Sequence, residues 1–157
     1  MHDNAESKVA AWRRWLAHLW YMWGGSLTYW GLRTADVSFF QAADGAYSRA
    51  IAIWSDFSGA YFQRGIIRER ELGQRIAGIR DLSRAIELSP EWPEPYLRRG
   101  LILRFHGNPH EAIADLERYL ELSGDSSWRD EASDRARLRQ MFRRPHRAAD
   151  DPNESSA

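Results

Sequence analysis

The fold is decided by one short pattern that occurs three times: RAIAI at Arg49–Ile53, RAIEL at Arg84–Leu88 and RYLEL at Arg118–Leu122. The copies are separated by 35 and 34 residues. The flanking sequence keeps this register, because AYFQRG at Ala60–Gly65 is matched by PYLRRG at Pro95–Gly100. A period of about 34 residues is that of a helix-turn-helix unit repeated along a solenoid. We therefore expect an all-α chain of stacked helical hairpins.

Small residues recur at fixed places in this period. Gly31, Gly65 and Gly100 fall in the predicted first helices of the units, and Ala50 and Ala85 fall in the second helices. A residue with little or no side chain lets two helix backbones approach closely, so we expect the helices of each unit to cross at these positions. Larger apolar side chains then fill the space between neighbouring units.

This arrangement resembles the tetratricopeptide repeat (TPR) family, which places a large residue, Leu-Gly and an aromatic in the first helix and small and aromatic residues in the second. Arg64 and Arg99 depart from the pattern, which prefers Leu at these positions. The resemblance implies an all-α TPR helix-turn-helix solenoid wound as a right-handed superhelix. The third copy shows the pattern most clearly, at Tyr96, Gly100, Leu103, Ala112 and Leu116, although Tyr119 replaces the usual small residue.

The period and the resemblance together predict how the chain is organised. Three repeats are expected at about 24–57, 58–92 and 93–126. Residues 1–23 are predicted to form an N-terminal Trp-rich helix that acts as a half-repeat and caps the array. Residues 127–143 are expected to form a C-terminal capping helix, and 144–157 a disordered tail, since that segment is polar and charged.

Five of the eight tryptophans lie in the first 30 residues, at Trp12, Trp15, Trp20, Trp23 and Trp30. The apolar residues there follow helical spacing, which predicts a helix over about 7–23. By the repeat period, this helix falls where the second helix of a preceding unit would lie. We therefore expect a buried cap whose tryptophans pack on the helix that contains Trp30.

The same segment has an alternative interpretation at a membrane. Residues 15–32 contain no Asp, Glu, Lys or Arg, a profile that can mark a signal sequence or a membrane span. His18 and the pair Gly24–Gly25 argue against a span, and Trp and Tyr prefer the membrane interface to the bilayer centre. If the chain meets a membrane, we expect an amphipathic helix lying in the interface, through Trp12, Trp15, Trp20 and Trp23.

The composition excludes several classes of chemistry. The 157 residues contain 22 basic and 22 acidic side chains and no cysteine. Zero net charge argues against a dedicated nucleic-acid binder, and the lack of cysteine excludes disulfide scaffolds and thiol nucleophiles. His106 and His110 have the i, i+4 spacing of a metal pair, but Pro109 breaks the helix between them. With no Gly-rich phosphate loop or nucleophile elbow, we predict no catalytic residue, metal or cofactor.

The resemblance also implies where a partner would bind, because TPR units line a concave groove with their first helices. Members that clamp the acidic C-terminus of heat-shock chaperones need Lys and Asn where Thr28 and Leu32 stand, and a basic residue where Glu94 stands. The groove therefore favours an apolar helix or strand with one acidic group near Arg98 or Arg104. The groove candidates are Thr28, Leu32, Phe62, Ile66, Glu69, Arg70, Leu97, Arg98, Leu101, Arg104 and Phe105.

The sequence thus predicts a non-catalytic protein-protein interaction module or scaffold in the cytoplasm, with a protein or peptide partner and no nucleic acid. The alternative is a membrane-associated assembly factor recruited through the Trp-rich N-terminal helix. Self-association into a homo-oligomer is a third interpretation, because imperfectly capped repeat arrays leave apolar ends exposed.

Overall fold

A computed structural model of the chain describes residues 3–106 and 109–124, with side chains described for 11–105 and 109–124. Within these ranges the chain forms six helices and no strand, so the predicted all-α class is confirmed. The predicted capping helix over 127–143 and the tail over 144–157 lie outside the described residues. The helices are α1 (Asp3–Thr34), α2 (Val37–Ile53), α3 (Ser58–Arg70), α4 (Arg75–Leu88), α5 (Pro93–His106) and α6 (Pro109–Ser123).

The helices pair in chain order as three hairpins. α1 packs most extensively on α2, α3 on α4 and α5 on α6, while smaller contacts join α2 to α3 and α4 to α5. α3 begins at Ser58 and α5 at Pro93, where the second and third predicted repeats also begin. Since each hairpin contacts mainly its chain neighbours, the core runs along the stack and is not gathered at one centre.

The first helix is longer than predicted, because α1 runs for 32 residues across the expected boundary between residues 23 and 24. A Cβ on Gly24 would lie 2.7 Å from the ring of Tyr47, and one on Gly31 would lie 2.8 Å from the ring of Phe40. These glycines therefore admit the aromatic side chains of α2 and do not interrupt the helix. The predicted packing of the tryptophans on a separate Trp30 helix is wrong, because Trp30 belongs to the same helix.

The backbones of the two helices of the second hairpin approach each other closely. A Cβ added to Gly78 in α4 would lie 2.8 Å from the carbonyl oxygen of Gly65 in α3, and one added to Gly65 would lie 3.1 Å from the carbonyl oxygen of Gly78. Each glycine thus faces the backbone of the other, which cannot move aside as a flexible side chain can. In the third hairpin, a Cβ added to Gly100 would lie 3.0 Å from the side chain of Leu116.

We predict that Gly78→Ala lowers the free energy of unfolding by about 1–3 kcal/mol, although alanine is the better helix former, because the added methyl meets the Gly65 backbone. Gly45→Ala is the matched control, since Gly45 lies inside α2 with nothing within 4 Å of its Cβ position. It should stabilise the chain by roughly 0.5–1 kcal/mol. Urea unfolding followed by circular dichroism measures both, and equal effects of the two changes would contradict the close crossing.

A buried ion pair accompanies this crossing and explains one departure of the sequence from the TPR pattern. Arg64 donates from Nε and Nη2 to the two carboxylate oxygens of Asp81, at 2.9 and 2.7 Å. Its Nη1 donates to the Ser48 hydroxyl of α2 at 2.9 Å. One guanidinium therefore ties α3 to α4 and to the preceding hairpin. Arg is suited to this because its planar fork matches a carboxylate.

The same arrangement recurs one repeat later. Arg99 donates to both oxygens of Asp115 at 2.7 Å, and to the Ser83 hydroxyl of α4 at 2.8 Å. The hydrogen bond to Asp115 raises the pKa of Arg99 above its usual range. The Ser–Arg–Asp clamp is therefore a repeated device that joins α2 to the second hairpin and α4 to the third.

The clamp in the second hairpin is extended by another arginine. Arg68 Nη1 donates to Asp81 at 3.0 Å, and Arg68 also pairs with Asp44 of α2, with Nη2 at 3.1 Å from Asp44 Oδ2. Asp81 is only 5% exposed, so its charge is held almost entirely by these two guanidinium groups.

We predict that Asp81→Ala destabilises the chain by about 3–5 kcal/mol, because two partly buried arginines lose their shared carboxylate. Glu87→Ala is the control, since Glu87 forms a solvent-exposed pair with Arg84 and its removal should leave the unfolding midpoint unchanged. Thermal unfolding of both variants at two salt concentrations distinguishes the buried pair of Asp81 from the exposed pair of Glu87. Equal loss of stability in both variants would contradict the role assigned to Asp81.

Candidate functional site

A pocket opens between the first helices of the second and third hairpins. Its volume is about 250 Å³, and it lies between α3 and α5 with Leu82 of α4 at its floor. Leu82 is fully buried and Ile102 is 7% exposed, so the floor is part of the core. The remaining lining residues are Ile66, Glu69, Arg70, Arg98, Leu101 and Phe105.

The wall of this α3–α5 pocket is apolar, and its lip is charged. Phe105 lines the pocket and is 68% exposed. Arg98 is also exposed on the lip, and no ion pair of its guanidinium is found among the described residues. Arg70 is 55% exposed and only 3.9 Å from Glu71, a weak surface pair. The pocket therefore combines an apolar wall with cationic groups that are open to an incoming acid.

Six of the eleven groove candidates from the sequence line this pocket, and the others lie elsewhere. Phe62 is only 8% exposed and packs against Trp92, with ring centroids 4.6 Å apart, so it belongs to the core and not to the groove surface. Leu97 is half-buried outside the pocket. Arg104 is exposed, with its guanidinium 5.1 Å from the ring centre of Phe105.

The two remaining candidates lie on α1. Thr28 is half-buried and donates to the Gly24 carbonyl oxygen at 2.9 Å, and its hydroxyl lies 3.4 Å from that of Tyr47. Burial raises the pKa of Tyr47 above its usual range. Leu32, by contrast, is 62% exposed. Neither residue lines the α3–α5 pocket. Sequence reasoning missed its floor residues Leu82 and Ile102, because helical spacing marks them only as core.

We predict that Phe62→Ala and Phe105→Ala differ sharply in stability. Phe62→Ala should lower the free energy of unfolding by about 3–5 kcal/mol, since it leaves a cavity in the core beside Leu82. Phe105→Ala should cost less than about 1 kcal/mol, because most of that side chain is already in water. Urea unfolding of both variants tests the placement, and a large loss with Phe105→Ala would overturn it.

A second surface lies on α1, opposite the face that contacts α2. The buried face carries Ala17, Gly24 and Gly31 at seven-residue spacing. The opposite face, which we name the α1 stripe, contains Trp12, Trp15, Trp23 and Trp30, each 53–63% exposed. It is completed by Leu16, Leu19, Met22 and Tyr29, which are 41–67% exposed.

Metal-ligating clusters and membrane-spanning helices are not found in the described part of the chain. Residues 3–106 and 109–124 contain no cluster of three or more His, Cys, Asp or Glu side chains arranged to hold a metal ion. No helix in these ranges combines the length and apolar character needed to cross a membrane.

No protein-family model and no curated protein matches the sequence. Solved structures do match the fold. The first TPR of Spaghetti (RPAP3), bound to the HSP90 peptide SRMEEVD, superposes with a TM-score of 0.65 at 19% identity, covering 81% of this chain and 93% of that one. The Arabidopsis OM64 TPR domain gives 0.64 at 21% identity, covering 82% and 98%. The chain has the TPR fold.

Two structures of MamA are also similar. One superposes with a TM-score of 0.60 at 23% identity over 71% of this chain, and the other with 0.58 at 23% over 72%. The chain spans 60% and 57% of these two proteins. All four likenesses establish the architecture of stacked TPR hairpins, and this fold alone does not indicate what the chain does.

Proposed function

We propose that this TPR chain is a non-catalytic interaction module that binds an extended or helical segment of a protein partner in the α3–α5 pocket. The observation that carries the proposal is the apolar wall that Ile66, Leu101 and Phe105 form in a pocket between two hairpins. A large exposed aromatic in a concave site is typical of a surface that is covered when a partner binds.

The volume of the pocket favours peptide side chains over a small-molecule ligand. Small-molecule sites usually enclose about 300–1,000 Å³, whereas a cavity of about 150 Å³ holds a molecule the size of benzene. At about 250 Å³, the pocket suits one or two apolar side chains of a peptide. The rest of the segment would then run over the lip.

The charges at the lip indicate an acidic group beside the apolar anchor. Arg98 is exposed at the pocket edge, and Arg70 lies on the opposite helix. A carboxylate of the partner placed between them gains a charge-assisted hydrogen bond without breaking a buried pair. Glu69 on the same lip disfavours a run of several acids, so we propose one acidic residue next to an aromatic or aliphatic one.

The RPAP3 neighbour binds an acidic heat-shock peptide, but the present chain is built differently where such a peptide is clamped. Thr28 bonds to its own helix and Leu32 is an exposed apolar residue, so neither supplies a cation. Glu94, in the first turn of α5, adds a negative charge. We therefore propose that the partner is not a chaperone C-terminus.

Selection of peptides from a phage-displayed library on the immobilised chain tests this function. We expect enriched peptides to carry a large apolar residue next to one acid. Phe105→Ala and Arg98→Glu should each weaken binding of a selected peptide by about 10-fold or more, since both remove contacts at the pocket. Fluorescence anisotropy measures the dissociation constants.

Two controls test whether binding is specific to the pocket and to the selected peptide. Ile76→Glu changes an exposed apolar residue on α4 that is outside the pocket, and should leave affinity unchanged. The peptide SRMEEVD should bind no more tightly than a scrambled version. A selected peptide whose affinity survives both pocket changes, or tight binding of SRMEEVD, would contradict the proposed site.

A further inference from the structure

The α1 stripe is an extended apolar surface that the groove does not use. Its tryptophans at positions 12, 15, 23 and 30 follow helical spacing along one side of α1, and no charged residue interrupts them. At 1.5 Å per residue, residues 12 to 30 extend over roughly 27 Å. We propose that the α1 stripe is the interface of a homodimer, in which a second copy of this chain covers it.

The area of the stripe is the first reason to assign a second copy. A fully buried aromatic side chain covers about 150–250 Å². At exposed fractions of 53–63%, the five aromatic residues of the stripe therefore present roughly 600 Å². Leu16, Leu19 and Met22 bring the total to about 800 Å², which is what each partner of a standard interface buries. The largest apolar patch of a typical monomer is about 300–600 Å².

The composition of the stripe is the second reason. Interface cores are enriched in Trp, Tyr and Met and depleted of charge, and the stripe has this composition throughout its length. Because the face is uncharged, two copies related by a two-fold axis meet without like-charge repulsion along it. The aromatic side chains also lie in edge-on pairs, with 5.0 Å between the ring centroids of Trp12 and Trp15.

The basic residues of α1 argue against a lipid surface as the occupant. Helices that lie in a membrane interface present Lys and Arg on their polar face. In α1, Arg13 donates to the Ile53 carbonyl oxygen at 3.2 Å and Arg14 lies 5.5 Å from the ring centre of Trp54. Both guanidinium groups are thus directed at the α2–α3 connection, and the face opposite the stripe packs on α2. Among the residues of α1 whose side chains are described, Arg33 at the C-terminal end is the one further base, and a single cation does not form a basic rim.

Sedimentation velocity and light scattering on the full chain over a concentration series test the dimer. The wild-type chain should reach twice its mass of 18.3 kDa. The double variant Trp15→Glu/Trp23→Glu should raise the dimer dissociation constant by about 100-fold or more, because it places charge in the centre of an apolar interface. Ile76→Glu, at a site 69% exposed on α4, is the matched control and should leave the dimer intact.

The outcomes are distinct from those of the groove experiment, since neither variant touches the α3–α5 pocket. If the double variant loses its helical circular dichroism, Met22→Glu, at a position 67% exposed, takes its place. A wild-type chain that stays monomeric at every concentration overturns the proposal, as does equal loss of dimer in Ile76→Glu. Flotation of a monomeric chain with phosphatidylcholine–phosphatidylserine vesicles would also overturn it and assign the stripe to a membrane.

Discussion

The contact between the backbones of Gly65 and Gly78 sets the geometry of the central hairpin, and the rest of the stack is built around it. Because neither residue has a side chain, α3 and α4 meet with each prospective Cβ 2.8–3.1 Å from the opposing carbonyl oxygen. At this separation Arg64 reaches Asp81 with both arms of its fork and still extends to Ser48 of the previous hairpin. A buried ion pair is not by itself stabilising relative to apolar packing, so its contribution here is to fix register between hairpins.

The first hairpin lacks the Ser–Arg–Asp clamp of the other two and differs from them in packing and in surface. At the position of Arg64 and Arg99 in the later hairpins, the first hairpin has Trp30, which precedes Gly31. At the position of Asp81 and Asp115, it has Ala46. The two helices of this hairpin are instead joined by Phe40 and Tyr47 of α2, whose rings pack against α1. With no carboxylate to meet, the side chain at position 30 is 53% exposed and contributes to the α1 stripe. These two replacements therefore change both the packing of the first hairpin and the surface that α1 presents.

Much of this was predictable from the sequence, because period and small-residue spacing are local properties. The hairpins and the glycine crossings follow from them, and six of the eight pocket-lining residues follow from the resemblance to the TPR family. The Arg–Asp clamps could not be predicted in this way, since the sequence shows Arg64 and Arg99 only as departures from the TPR pattern and does not show their partners. The repeated Asp-Leu pairs at Asp81 and Asp115 were the available signal. The continuity of α1 was also missed, because a glycine pair predicts a break as readily as a close helix contact. Burial of Phe62 depends on Trp92, which lies in the connection between α4 and α5, and spacing alone does not bring the two side chains together.

The molecule thus offers two surfaces of different chemistry: a charged-lipped apolar pocket between α3 and α5, and an uncharged stripe on α1. Amide chemical-shift mapping with a library-selected peptide on the isotopically labelled chain tests most directly which of them receives a partner. We predict perturbations centred on Ile66, Leu101 and Phe105, with the amides of Trp15 and Trp23 unmoved. Perturbations centred on α1, with the pocket amides unchanged, would contradict the assignment of the groove as the binding site.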